Sequence, residues 1–549
     1  MFQIFKQIKF EYLAVFSLAV LAGLMISVYN LSIIFLLISI LFVLASFQYF
    51  NQMVLLLILY LPFQIALNIT AGIDLASGRV LILYLFAVWI IKSLAEKRFV
   101  IKLNLQTLFL GAFLFLAIFS MLQAGDMERA IRKILVFLSI FPLYFILTLL
   151  SNKVGSGQCP VPTVVNNSDV LENKNYYIYK IIKMLLLGGV LISLIGGVQF
   201  ILQFIFGIDA VMEFLSKYIA FIFYGQTFGA EVLSNPSWLV NISGATVLRA
   251  ISLFPDPHML SFYLGLVIPI VLSFIIFNKN NINFVIPVKT GIQDSTQKIY
   301  SKSVLILACQ SILQRIVKYC GNRKNDKYTF CNNTLYFILF IMLLVELLTF
   351  SRGGYLGMIA GIGSVIVLGW KYISDFKKVF LGILFSIFLF VALFTNQAII
   401  NRFLSSFNFS EGSNIERMKN WTQGAEVFSD NLLTGVGIGN YSVYLYPTIE
   451  YRTPVYAHNL YLDIGAEMGI LELLCWLLLI GVTIWQLFRL SRRTKDGFSR
   501  ALSLGLIGSL VWFSIHGIFD TPIYSPTILA MFVVIISLAA MVLEDTRHK

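Results

Sequence analysis

Residues 258–277 read HMLSFYLGLVIPIVLSFIIF, twenty positions without a single Lys, Arg, Asp or Glu. At 1.5 Å per residue a helix needs about 20 mostly apolar residues to cross a bilayer, so this run is long enough for one crossing. The same reading carried outward finds further runs near 10–28, 31–48, 53–69, 79–95, 104–123, 133–150 and 181–206. Beyond it lie 334–350, 354–371, 378–395, 462–487, 501–518 and 524–543, which makes fourteen candidates. The first two nearly abut and 181–206 is long, so twelve to fourteen crossings are expected. Lipid offers backbone groups no partner outside a helix or a closed barrel, and barrel strands alternate where these runs are continuous. Composition agrees: the 549 residues are 58% hydrophobic and 12% charged, with a mean hydropathy of +0.85. Soluble proteins lie near 45–50% and about 25%. The expected fold class is an all-α polytopic membrane protein.

The net charge of +13 is spread through short connections, which fits membrane orientation and not a nucleic-acid surface. Segment 278–333 holds nine Lys/Arg against two acidic residues, and 488–500 holds five against one. On the other side 207–257 has two basic and four acidic residues, and 396–457 has four and five. The positive-inside bias therefore places both termini and the basic loops in the cytoplasm. Lys6 and Lys9 before the first apolar run imitate a signal peptide, but the many runs that follow make it the first anchor. Five regions result: N-terminal membrane helices (1–206), an outer interfacial segment (207–257), membrane helices carrying a cytoplasmic insertion at 278–333 (258–395), a large outer loop (396–461) and C-terminal membrane helices (462–549). Cys159, Cys309, Cys320, Cys331 and Cys475 form no CxxC pair, so neither disulfides nor a zinc site are expected.

Within the outer loop, ERMKNWTQGAEVF carries Met418, Trp421, Ala425 and Phe428 at helical spacing, the pattern of an amphipathic helix that Gly435, Gly437 and Gly439 then break. Four ionisable residues fall just outside the apolar runs on this outer side: Arg249, Arg352, Arg417 and His458. Singly, each has an ordinary reading as an interfacial anchor, a snorkelling cation or one half of a surface ion pair. Together, in a charge-poor chain, they form a cluster of cations with one titratable imidazole. Gly353, Gly357 and Gly361 repeat every four residues, a face for close helix packing. Asp256 and Glu411 read as isolated acids, so no metal and no cofactor are expected.

Four patches, RAISLFPDPHMLSFYL, TFSRGGYLGMIAG, ERMKNWTQGAEVFSDNLLTGVGIGNY and AHNLYLDIGAEMGILELL, resemble in this order the O-antigen ligase and polymerase family of bacterial polysaccharide enzymes. The last is the most specific, with His-Asn before a helix and then Glu467 and Gly469. His258 stands where the family usually has Asn. The resemblance implies a multi-pass inner-membrane glycosyltransferase with its active site on the periplasmic face. It would move a glycan from an undecaprenyl-diphosphate carrier to an acceptor hydroxyl, on a lipid A-core sugar for a ligase or on another lipid-linked repeat for a polymerase. A protein O-oligosaccharyltransferase or a polysaccharide flippase are the more distant alternatives. Under this reading Arg249, Arg352 and Arg417 bind the diphosphate, since arginine offers a bidentate fork to phosphate. His458 is the general base and shares the catalytic role with Arg417, and Asn459, Asp463 and Glu467 support it.

Overall fold

The computed structural model describes residues 45–70, 73–95, 103–150, 167–234, 237–242, 244–277, 332–373, 412–449 and 455–544. Among these residues nine helices are long and apolar enough to cross a membrane, and two shorter apolar ones, Phe50–Phe63 and Thr334–Leu348, accompany them. The chain is an all-α polytopic membrane protein. The runs expected at 10–28 and 378–395 lie outside the described residues, as do most of 31–48 and of the 278–333 insertion.

The first half contributes α1 (Phe50–Tyr60), α2 (Ser77–Ala95), α3 (Leu105–Ser120), α4 (Met127–Ile140), α5 (Pro142–Leu149) and α6 (Asn167–Phe206). A short helix α7 (Ile208–Phe214), a π-helical turn Leu215–Ala220 and α8 (Gln226–Ser234) follow in the 207–257 segment. The second half contributes α9 (Pro257–Phe277), α10 (Asn332–Leu348), α11 (Arg352–Gly369), α12 (Gly412–Asp430), α13 (Tyr441–Leu445), α14 (Leu460–Met468), α15 (Ile470–Arg493), α16 (Gly497–His516) and α17 (Pro526–Glu544). Two antiparallel hairpins complete the described fold: β1 (Ala66–Thr70) with β2 (Ile73–Ala76), and β3 (Leu239–Ile242) with β4 (Ala245–Leu248).

Two apolar runs are broken where the sequence reads as continuous. The run at 53–69 ends as a helix at Phe63, after Pro62, and its last residues form β1. The run at 462–487 splits at Gly469, whose φ of +86° and approach to the Leu433 carbonyl leave no room for a side chain. The crossing helix is therefore α15, and Asp463 and Glu467 ride on the separate short helix α14.

The core is built around α9, whose residues are all buried except His258. It packs against α16 through close backbone approaches: a Cβ on Gly265 would lie 2.4 Å from Trp512 Nε1, and one on Gly505 would lie 2.5 Å from Ser273 Oγ. Gly357 and Gly361 of α11 meet Trp512 and the Gly508 carbonyl of α16 in the same way, so the glycine ladder is a packing face as its spacing predicts. These contacts lock α9, α11 and α16 together, and the N-terminal ends of α9 and α11 with the C-terminal end of α16 carry the candidate site.

Candidate active site

The first wall of the site is an extended segment that leads into α9. Gln199 and Gln203, one turn apart on α6, act as a substitute strand for it. Gln203 pairs with both backbone groups of Leu248, while Gln199 accepts from Ile251 and Ser252 and donates to the Arg249 carbonyl. Arg249 is thereby aimed at the end of α10, where its guanidinium donates to the carbonyls of Thr349 and Phe350, and it donates also to the Ser237 carbonyl before β3, all at 2.7–3.2 Å. A cation at a helix C-terminus meets the negative end of the dipole, so Arg249 fixes the turn that presents Arg352. Its charge also reaches Asp256 and His258.

The second wall is the N-terminus of α11, where Ser351 caps the helix by accepting from Gly354 N–H. The same Ser351 Oγ lies 2.9 Å from His258 Nδ1 and 3.3 Å from His516 Nε2. A hydroxyl has one proton, so with neutral rings one imidazole must donate to Ser351 and the other accept from it. His516, stacked on Phe262 at 3.7 Å, has its Nδ1 buried without a partner. An orphaned lone pair is cheaper than an orphaned N–H. This assigns the His516 proton to Nε2, the Ser351 proton toward His258, and the His258 proton to its own Nε2. Gly353 permits the arrangement, since a Cβ there would sit 2.8 Å from His516.

The third wall is the approach to α14. His458 has a left-handed φ of +51°, and Asn459 after it caps α14 by accepting from Tyr461 and Leu462 N–H. His458 Nδ1 lies 3.6 Å from Asp520 Oδ1, a residue of the connection between α16 and α17. Burial lowers the affinity of the imidazole for a proton, but Asp520, helped by Asp463, outweighs it and holds His458 above its ordinary value. Asp520 is held below the usual carboxylate range: burial opposes ionisation, and the contact with His458 and its charge outweigh it. The sequence suggested Asp463 or Glu467 as the partner of His458. Asp463 instead accepts from Ala457 N–H and from the Thr521 hydroxyl, which ties the His458 segment to the Asp520 connection. Glu467 accepts from Gly439 N–H and the Tyr524 hydroxyl.

Arg417 comes from α12, half-buried, and its proton affinity is lowered by burial and by Arg352, with Asp520 opposing. The helix presents a different face from the one its spacing suggests. Met418 and Ala425 are exposed, while Gly424 and Val427 are buried with Trp421 and Phe428 partly so, because Gly424 abuts Ala457 beside His458. Asp256, which caps α9, is not isolated: burial and the charge of Asp520 push it up to about 7. His458 and Arg417 thus meet at Asp520, Arg352 acts on Arg417, and Arg249 acts on Asp256, which itself feels Asp520. Asp520 and His516 are the members that sequence reasoning missed. The only signal for them was an acid in the apolar HGIFDTPIY connection.

Residues 337–477 match the family model described as O-Antigen ligase. Over that segment the chain is similar to the O-antigen ligase family. Arg352, Arg417, His458 and the supporting residues of α14 fall inside the match, whereas Arg249, His258, His516 and Asp520 fall outside it. The chain is also similar to the teichuronic acid biosynthesis protein TuaE of Bacillus subtilis (strain 168), 28% identical over 211 residues. That alignment covers 36% of this chain and 43% of the relative, so the chain spans less than half the length of the curated relative it matches.

Proposed function

We propose that the protein is a bacterial inner-membrane glycosyltransferase whose site faces the periplasm and transfers a glycan from undecaprenyl diphosphate to an acceptor hydroxyl. The observation that carries this reading is the His458–Asp520 pair with Arg417 acting on both and Arg352 acting on Arg417. With Nδ1 held by Asp520, His458 presents Nε2 to take the acceptor proton. The acceptor oxygen then bonds to the anomeric carbon as the carbon–oxygen bond to the carrier breaks. The electron pair leaves with the diphosphate, and the proton passes from His458 to water. Arg417 and Arg352 stabilise the diphosphate directly, since charge-assisted arginine contacts are the strong ones for phosphate. Arg249, engaged with carbonyls, adds its charge from behind. No step in this scheme requires a metal.

A ligase moves the glycan to a lipid A-core sugar. The similarity to a protein named for teichuronic acid biosynthesis favours a second reading, a polymerase that extends lipid-linked repeats of a surface polysaccharide. The test is the purified protein with an undecaprenyl-diphosphate-linked glycan, offered a lipid A-core acceptor or only more donor. Ligation products support the first reading and lengthened lipid-linked chains the second. Failure to release the carrier under either condition would argue against both.

A further inference from the structure

His458 and Asp520 stand on separate outer segments, and one side chain from the first half of the molecule touches both segments at once. Lys133 of α4 places Nζ 3.1 Å from the centroid of the Tyr524 ring and 5.0 Å from that of Tyr456. The two rings stack at 5.9 Å with 28° between planes, and Phe137, one turn on from Lys133, stacks on Tyr524 at 6.4 Å. Tyr456 lies two residues before His458, and Tyr524 four after Asp520. Beneath the pair, Glu467 lies 4.0 Å from Lys133 and accepts from the Tyr524 hydroxyl. A largely buried ammonium is costly unless it is paired, and an aromatic face with a carboxylate meets that need.

We propose that Lys133 is a positioning residue that clamps the His458 and Asp520 segments together through Tyr456 and Tyr524. Its helix is bound to the outer loop independently. Asn440 exchanges hydrogen bonds with the backbone of Asp126, and Arg129 donates to Ser442. Lys133 lies outside residues 337–477, so the first half of the chain completes a site whose base the family domain carries. The inference rests on His458 being that base.

The groups facing Lys133 are Glu467 from α14 and Tyr456 and Tyr524 from the two segments, while Arg129, one turn away on its own helix, turns its guanidinium to Asp126 and Ser442. Those facing His458 are Asp520, Asp463 and Arg417. Deleting the Lys133 charge through space alone would raise the proton affinity of His458. Loosening its contact with Asp520 would lower it. The two effects therefore differ in sign.

The experiment is an NMR titration of full-length protein in lipid nanodiscs with ring-labelled histidine. The chain has only four histidines, and His458→Gln assigns the signal. Wild type should titrate above the free imidazole value of about 6.5. Lys133→Met should titrate lower than wild type by about half a pH unit or more, and Lys133→Arg, which keeps a cation over the rings, should stay near wild type. An unchanged or higher titration in Lys133→Met overturns the proposal. Should that variant not accumulate, Tyr524→Leu removes the same clamp: a fall supports the proposal and no change overturns it. The readout needs no substrate, so failure of the transferase reading would leave its result standing.

Discussion

Among the described residues only Ser252, Phe350 and His458 combine a side chain with positive φ, and each sits in a different one of the patches that build the site. Such backbone costs on the order of 1–3 kcal/mol and persists where the surroundings over-determine it. At His458 the compensation is visible: Asn459 caps the next helix, and Asp463 holds Ala457 just before it. Because Asp520 raises the proton affinity of His458, the neutral base is lost as pH falls through a value above the ordinary 6.5. Transfer should therefore show an acid limb above that value. Asp520→Asn should move the limb to lower pH, since burial and Arg417 then dominate, and should slow transfer as well. A pH–rate profile of both proteins checks this. Arg417→Lys should lose much of the activity despite keeping its charge, because an ammonium cannot reproduce the planar fork; donor titration and rate together measure it. His458 and the three arginines were legible as ionisable residues beside apolar runs. Asp520 was not, because only the tertiary fold brings its connection beside His458.

At the level of elements, hydropathy located the apolar helices among the described residues well and their ends poorly. Composition cannot show that Gly469 must turn against Leu433, so one apolar run read as one helix where there are two. The face of α12 was misjudged for a related reason. Periodicity marks large apolar residues, but the buried face is centred on Gly424, where a small residue lets the helix approach Ala457. The glycine ladder of α11 was read correctly because its four-residue repeat is itself the signal. It supports a paired prediction. Gly357→Ala, whose Cβ would lie 2.5 Å from Trp512, should destabilise the protein by about 1–3 kcal/mol. Gly363→Ala, which meets open space on the same helix, should be neutral or stabilising by up to ~1 kcal/mol. Thermal unfolding of the two variants in detergent distinguishes them, and equal losses would refute the packing role.

For the whole molecule, the first half carries little in its sequence beyond hydropathy, yet Asp126, Arg129 and Lys133 bind the segments on either side of residue 450 that lead to His458. The charge asymmetry predicts that Asp430, exposed at the end of α12, lies outside the cytoplasm and that the 278–333 insertion lies inside it. A single cysteine at 430 should react with an impermeant reagent from the periplasmic side, and shortening 281–300 should leave transfer largely intact. In the proposed mechanism His458 activates the acceptor while the arginines hold the donor. The direct measurement is donor affinity and transfer rate for wild type and His458→Ala side by side, on a purified undecaprenyl-diphosphate-linked glycan. Near-normal donor affinity with a rate lower by ~10²–10⁴ is expected. Transfer by His458→Ala at the wild-type rate would rule out His458 as the base.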